Sequence, residues 1–139
     1  MSTTIRPEVS KNNKYWVEKH RYYELKHFCL QYPIWKKAYA GLDGLSNRPS
    51  DLEVISRTNI ASDPTARCAE ARLFYSERMD MLKRVAKKTD SVLGSYILEG
   101  VTEGFSYEII RARTEIPCCK DTYYNLYRRF FWLLNKERQ

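Results

Sequence analysis

The residues of this chain best suited to chemistry lie between Ser106 and Lys136, and the chemistry they suit is recognition of a polyanion. Between Lys120 and Phe131 the sequence reads Lys-Asp-Thr-Tyr-Tyr-Asn-Leu-Tyr-Arg-Arg-Phe-Phe, with cations and an amide threaded among aromatics. Tyr123, Leu126, Tyr127, Phe130, Leu133 and Leu134 recur at spacings of three and four, which predicts one apolar face of a helix. The opposite face carries Lys120, Asp121, Tyr124, Asn125, Arg128 and Arg129. Arg and Lys donate to guanine or to phosphate, Asn pairs bidentately with adenine, and Tyr reaches a phosphate or a thymine methyl. A helix N-terminus adds unpaired N–H groups that attract phosphate. An amphipathic helix with an ordinary solvated face explains the same periodicity, so the pattern alone leaves both readings open.

To present those residues the chain must build a short helix, a break and a longer helix. Ser106 is placed to cap the first, which Ile109 and Ile110 give an apolar side. Pro117 has no N–H to donate and drives Ile116 out of helical geometry. The first helix is therefore predicted to stop near Thr114 or Glu115. The second is predicted to start around Cys118 to Asp121 and to run to about Glu137, with its apolar face on Ile109, Ile110 and Ile116. A preceding helix, capped by Asp90 or Ser91, runs through Val92, Leu93, Tyr96, Ile97, Leu98 and Val101 and ends at Gly104. These three make a trihelical helix-turn-helix unit at about 90–139.

Upstream, residues 1–12 read as a disordered polar tail. A helical region follows over 13–89. Its first helix is predicted from Asn13 or Lys14 to Gln31, with Pro33 as an interruption, and a short second one from Ile34 to Ala40. Gly41 to Asn47 reads as a loop. Residues 50–57 make a short helix, with Ser50 and Glu53 as a capping box. Asp63-Pro64 opens a long central helix to about Lys88, whose apolar residues cover more than one stripe. That width means neighbours on two sides or a second subunit, a possible homodimer. No β alternation is evident, so the expected class is all-α.

The 139 residues carry a net charge of +7, placed unevenly. Residues 1–39 hold eight Lys and Arg against three Asp and Glu, residues 40–105 nine against ten, and residues 106–139 seven against four. The cationic excess sits at the two ends, which suits double-stranded DNA if the ends are neighbours. Cys29, Cys68, Cys118 and Cys119 lack paired metal-ligand spacing, and His20 and His27 do not complete a zinc set, so no metal and no cofactor are expected. Gly-rich phosphate loops and nucleophile–base arrangements are missing, and Glu99, Glu103 and Glu108 read as solvated charge, so no enzyme is expected. No apolar leader or membrane-length run is seen, which predicts a cytoplasmic protein without a membrane partner.

The stretch Ile116-Pro117-Cys118-Cys119-Lys120-Asp121-Thr122-Tyr123-Tyr124-Asn125-Leu126-Tyr127-Arg128-Arg129-Phe130-Phe131-Trp132-Leu133-Leu134 resembles the C-terminus of phage late-gene transcriptional regulators of the RinA/ArpU type. The run from Tyr22 to Lys37 resembles their opening segment, and Asp63-Pro64-Thr65 before a long helix fits as well. The likeness covers roughly residues 14 to 138. It implies a C-terminal helix-turn-helix similar to the promoter-reading region of bacterial sigma factors, and an activator of phage late genes that also touches RNA polymerase. Carried onto this chain, the start of that helix is Lys120, Asp121, Tyr124, Asn125 and Arg128, which would contact bases or adjacent phosphates; the nearby cations Arg111, Arg113, Arg129 and Lys136 are expected to hold the backbone. Sigma-type modules open the last helix with a small hydroxyl residue and several cations, whereas here Cys118, Cys119 and one Lys120 stand. Two other readings fit a small helical basic chain: the small subunit of a phage packaging terminase, and a protein–protein adaptor that does not bind DNA.

Overall fold

The computed structural model describes residues 13–46 and 64–139; the expectations for the 1–12 tail, the 50–57 helix and the Asp63 cap lie outside them. The described residues form only helices, loops and turns: α1 Lys19–Leu30, α2 Tyr32–Ser46, α3 Pro64–Thr89, α4 Gly94–Glu103, α5 Tyr107–Arg113 and α6 Lys120–Glu137. The protein is all-α, with a long central helix. None of these helices is long and apolar enough to cross a membrane.

Local chemistry sets the boundaries. The first helix starts later than its periodicity suggests. Asn13 Oδ1 accepts from the Tyr15 N–H at 2.9 Å, and Asn13 O accepts from the Trp16 N–H at 3.0 Å, which commits this segment to a turn. Glu18 then caps α1, its carboxylate accepting from the Arg21 N–H at 3.3 Å. Pro33 does not separate two helices by a gap. It sits in the first turn of α2, where its missing N–H is not needed. The helix also continues past Ala40 through the glycine-containing stretch expected to be a loop. Helix propensity is a weak prior, and two glycines cost only about 1 kcal/mol each.

The long helix α3 opens at Pro64, as its sequence signal predicts, and closes at Thr89, whose hydroxyl donates to Val85 O at 2.8 Å. Asp90 does act as a capping side chain, but for a turn. Its Oδ1 accepts from the Val92 and Leu93 N–H groups at 2.8 and 2.7 Å. These two bonds also hold its carboxyl below the usual range. The first residue of α4 is consequently Gly94, with Leu93 at the cap, later than the Asp90 or Ser91 start expected. Gly104 ends α4 at φ 73°, a left-handed position that favours glycine.

The chain divides into two compact units, with the boundaries after Gln31 and within α3 at Asp80–Met81. In the unit made of the described residues of Tyr32–Asp80, Cys68 Sγ donates to Leu42 O at 3.8 Å and ties α3 to α2. The other unit joins residues 13–31 to 81–139 and holds the C-terminal helices. There α1 packs on α4 and α6, α4 on α5 and α6, and α5 on α6. The trihelical arrangement of α4, α5 and α6 thus shares its core with α1. Tyr22 is fully buried at this junction. Its ring meets Phe131 edge-on at 5.1 Å, and its hydroxyl lies 2.7 Å from that of Tyr127. The pairing gives each buried phenol the polar partner that burial demands. Arg21 adds a second tie, donating from Nε to Asn135 Oδ1 at 2.7 Å.

Candidate nucleic-acid interface

Helix α5 is fixed at its start by Ser106, whose Oγ accepts from the Ile109 N–H at 3.4 Å, and it ends at an extended Thr114. Ile116 is buried after the break and anchors the turn. Tyr107 spans that turn, donating its hydroxyl to Cys118 O at 2.6 Å. Helix α6 begins at Lys120 with Cys119 as its cap, and no side chain takes the cap bond. The short-helix, break, long-helix geometry therefore forms where the sequence placed it.

The faces of α6 differ in detail from their expected composition. Tyr123, Phe130 and Leu134 are buried as predicted, and Tyr127, Leu126 and Leu133 are partly buried. Tyr124 belongs to the inside, not to the recognition face. It is 6 % exposed, its ring stacks on Tyr123 at 5.1 Å, and its hydroxyl accepts from the Tyr107 N–H at 3.3 Å. One turn of backbone at the start of α5 thus covers the position where sequence spacing put a base contact. Ile109 shows the reverse. Expected to pack under α6, it is 44 % exposed, because Ile110 fills that space with no exposure of its own.

The remaining proposed contacts fall into three places. Lys120, Asp121 and Asn125 are exposed at the start of α6, and Arg128 follows, donating to Asn125 Oδ1 at 3.2 Å. Lys120 donates to Glu108 at 2.9 Å, and this hydrogen bond holds the Glu108 carboxyl below the usual range and raises the Lys120 ammonium. Beside the pair an open groove of about 470 Å³ is lined by Tyr107, Glu108, Arg111, Ala112 and Lys120. Arg111 is thereby brought next to the start of α6. Arg113 points elsewhere, toward α4, with Nε 3.6 Å from Glu99 and its guanidinium 5.0 Å from the Phe105 ring centroid. Arg129 and Lys136 lie further along α6. Arg129 donates to Tyr15 Oη at 3.2 Å and to Lys88 O at 3.5 Å, and its Nε is buried without a hydrogen-bond partner. Lys136 sits 3.4 Å above the Trp132 ring.

Sequence reasoning passed over the groups that Arg129 gathers. Tyr15 contacts Trp132 edge-on at 5.4 Å, and Lys14 lies 4.9 Å over the Tyr15 ring. The spacing of Arg128, Trp132 and Lys136 by fours was the available signal for an outward stripe. Nothing in the sequence tied that stripe to residue 15. The cysteines are all free. Burial raises the Cys29 and Cys118 thiols, whereas the Thr122 hydroxyl lowers that of exposed Cys119. Among the described residues no cluster of His, Cys, Asp and Glu can hold a metal. Comparisons with protein-family models, with curated proteins and with solved structures returned no match to this chain.

Proposed function

We propose that this protein is a sequence-specific DNA-binding transcriptional regulator. It reads the major groove with the start of α6. Asn125 and Arg128 supply base contacts, Lys120 and Asp121 flank them, and Arg111 holds a phosphate from α5. The observation that carries this reading is the sidedness of α6 behind the break. Its aromatic face is buried against α1, α4 and α5, while Lys120, Asp121 and Asn125 stay exposed at its entry. A helix supported in this way can enter a groove of about 12 Å width without losing its packing. The likeness of 116–134 to RinA/ArpU-type regulators extends the reading to activation of phage late genes, with RNA polymerase as a partner.

The start of α6 is not strongly cationic, since Glu108 already neutralises Lys120 and Asp121 stands in the first turn. On this reading its role is base discrimination, with most of the electrostatic affinity coming from other residues. The test is selection of bound duplexes from a random pool, followed by titration of the selected site and of random duplex. Arg128→Ala is expected to cost about 1–3 kcal/mol on the selected site and little on random duplex. Equal loss on both, or none on either, removes base reading from α6.

A further inference from the structure

A second surface of the same unit gathers cations around a pair of aromatic rings. Lys14, Arg84, Lys88, Arg129 and Lys136 converge there from three parts of the chain: the segment before α1, the end of α3, and α6. Arg129 is the joint, with its terminal nitrogens on Tyr15 Oη and Lys88 O. Tyr15 and Trp132 meet edge-on and form the floor, with Lys14 over one ring and Lys136 over the other. Among the described residues, two carboxylates pair with this cluster. Glu137 takes Arg84 Nε at 2.8 Å and lies 4.0 Å from Lys88 Nζ, and Asp90 attracts Arg129 from its turn. Among the described residues these five cations outnumber the two carboxylates paired with them, and Lys14, Lys88 and Lys136 are exposed.

From this geometry we infer that the Lys14–Lys88–Lys136 surface binds the phosphodiester backbone of duplex DNA, alongside the groove entered by the start of α6. Charge complementarity selects a polyanion. The state of the aromatics selects a backbone over unstacked bases. Lys136 already occupies a face of Trp132, and Tyr15 is engaged by Lys14, Arg129 and the Trp132 ring. Rings so engaged orient cations and have little face left on which a base can stack. Position supports the assignment too. Asp121, Asn125, Trp132 and Lys136 follow one another on the outward side of α6. Trp132 and Lys136 therefore lie roughly 10 and 16 Å along the helix from Asn125, at 1.5 Å per residue. A backbone contact at that distance fixes register without carrying sequence information. The inference rests on the DNA-binding reading above and names the residues that supply its electrostatic affinity.

The test compares the full chain with K14Q/K88Q/K136Q and with the charge-preserving K14R/K88R/K136R, on random-sequence duplex across a salt series. All three side chains are exposed, and circular dichroism verifies that each variant stays folded. The expected result is a log–log salt slope shallower by about 2 to 3 in the Gln variant, at about 0.9 per phosphate contact, with the slope retained in the Arg variant. An unchanged slope in the Gln variant, while the parent protein still binds duplex, overturns this surface and leaves the α6 reading intact. Tighter binding of the parent protein to single strands than to duplex also overturns it. Absence of any binding by the parent protein to random or selected duplex sinks the DNA reading itself.

Discussion

At the residue scale the most informative side chain is Tyr124, because periodicity put it outside and the fold puts it inside. Spacing by three and four defines a face but not how wide it is, and the turn leading into α5 widens the buried side of α6. The Tyr124 hydroxyl is the partner of the Tyr107 N–H at 3.3 Å. Tyr124→Phe should therefore leave a buried backbone donor unpaired and cost about 1–3 kcal/mol of stability, measured by urea denaturation. A base-contacting Tyr124 would instead lose DNA affinity and keep its stability. The adjacent thiols separate by environment in the same way. The thiolate is the reactive form, so a lowered thiol reacts at lower pH and a raised one only at higher pH. Iodoacetamide followed by peptide mass mapping near neutral pH should modify Cys119 first, Cys118 more slowly and buried Cys29 last. Thr122→Val removes the hydroxyl that lowers Cys119 and should shift its labelling curve to higher pH. Equal rates at Cys118 and Cys119 would contradict the geometry at the cap of α6.

At the element scale the sequence was most legible where one residue type decides the backbone. Ser106, Pro117, Gly104 and Pro64 each mark a boundary that the structure keeps, since each acts through its own hydroxyl, missing N–H or missing Cβ. Boundaries fixed by competing local bonds were not legible. Asn13 and Asp90 both capture downstream N–H groups in turns and delay the helices that follow. The close approach of α4 to α6 was equally hidden, because it depends on which glycine faces which ring. Gly100 is that contact. A Cβ there would collide with Tyr123 Oη and come within 2.9 Å of Ile110 Cδ1. Gly100→Ala should cost about 1–3 kcal/mol through overpacking, even though alanine favours helices. A melting temperature unchanged or raised in this variant would mean that α4 does not sit against α5 and α6 as described.

At the scale of the whole molecule, the two cationic ends share a unit for a reason composition does not contain. The sequence places its cationic excess at both ends, and the fold brings part of each end into one unit, where Arg129 of α6 meets Tyr15. The same closure bears on whether the 90–139 stretch, read from sequence as the DNA-binding module, can stand alone. Its core is completed by Tyr22, Leu25, Phe28 and Cys29 of α1 and by Leu82, Val85 and Ala86 from the end of α3. Burying a large apolar side chain contributes about 1.5–3 kcal/mol. Removing only Tyr22, Leu25 and Phe28 thus forfeits about 5–9 kcal/mol, comparable with the whole stability of a small domain at about 5–15 kcal/mol. An isolated 90–139 fragment should therefore keep some far-ultraviolet helix signal, lack a cooperative thermal transition and bind a hydrophobic dye. The full chain should melt cooperatively under the same conditions. A sharp transition in the fragment, with near-ultraviolet aromatic signals like those of the intact protein, would show that α4, α5 and α6 hold together without α1. The contacts of Tyr22 with Tyr127 and Phe131 would then be additions to a finished core, not part of what makes it.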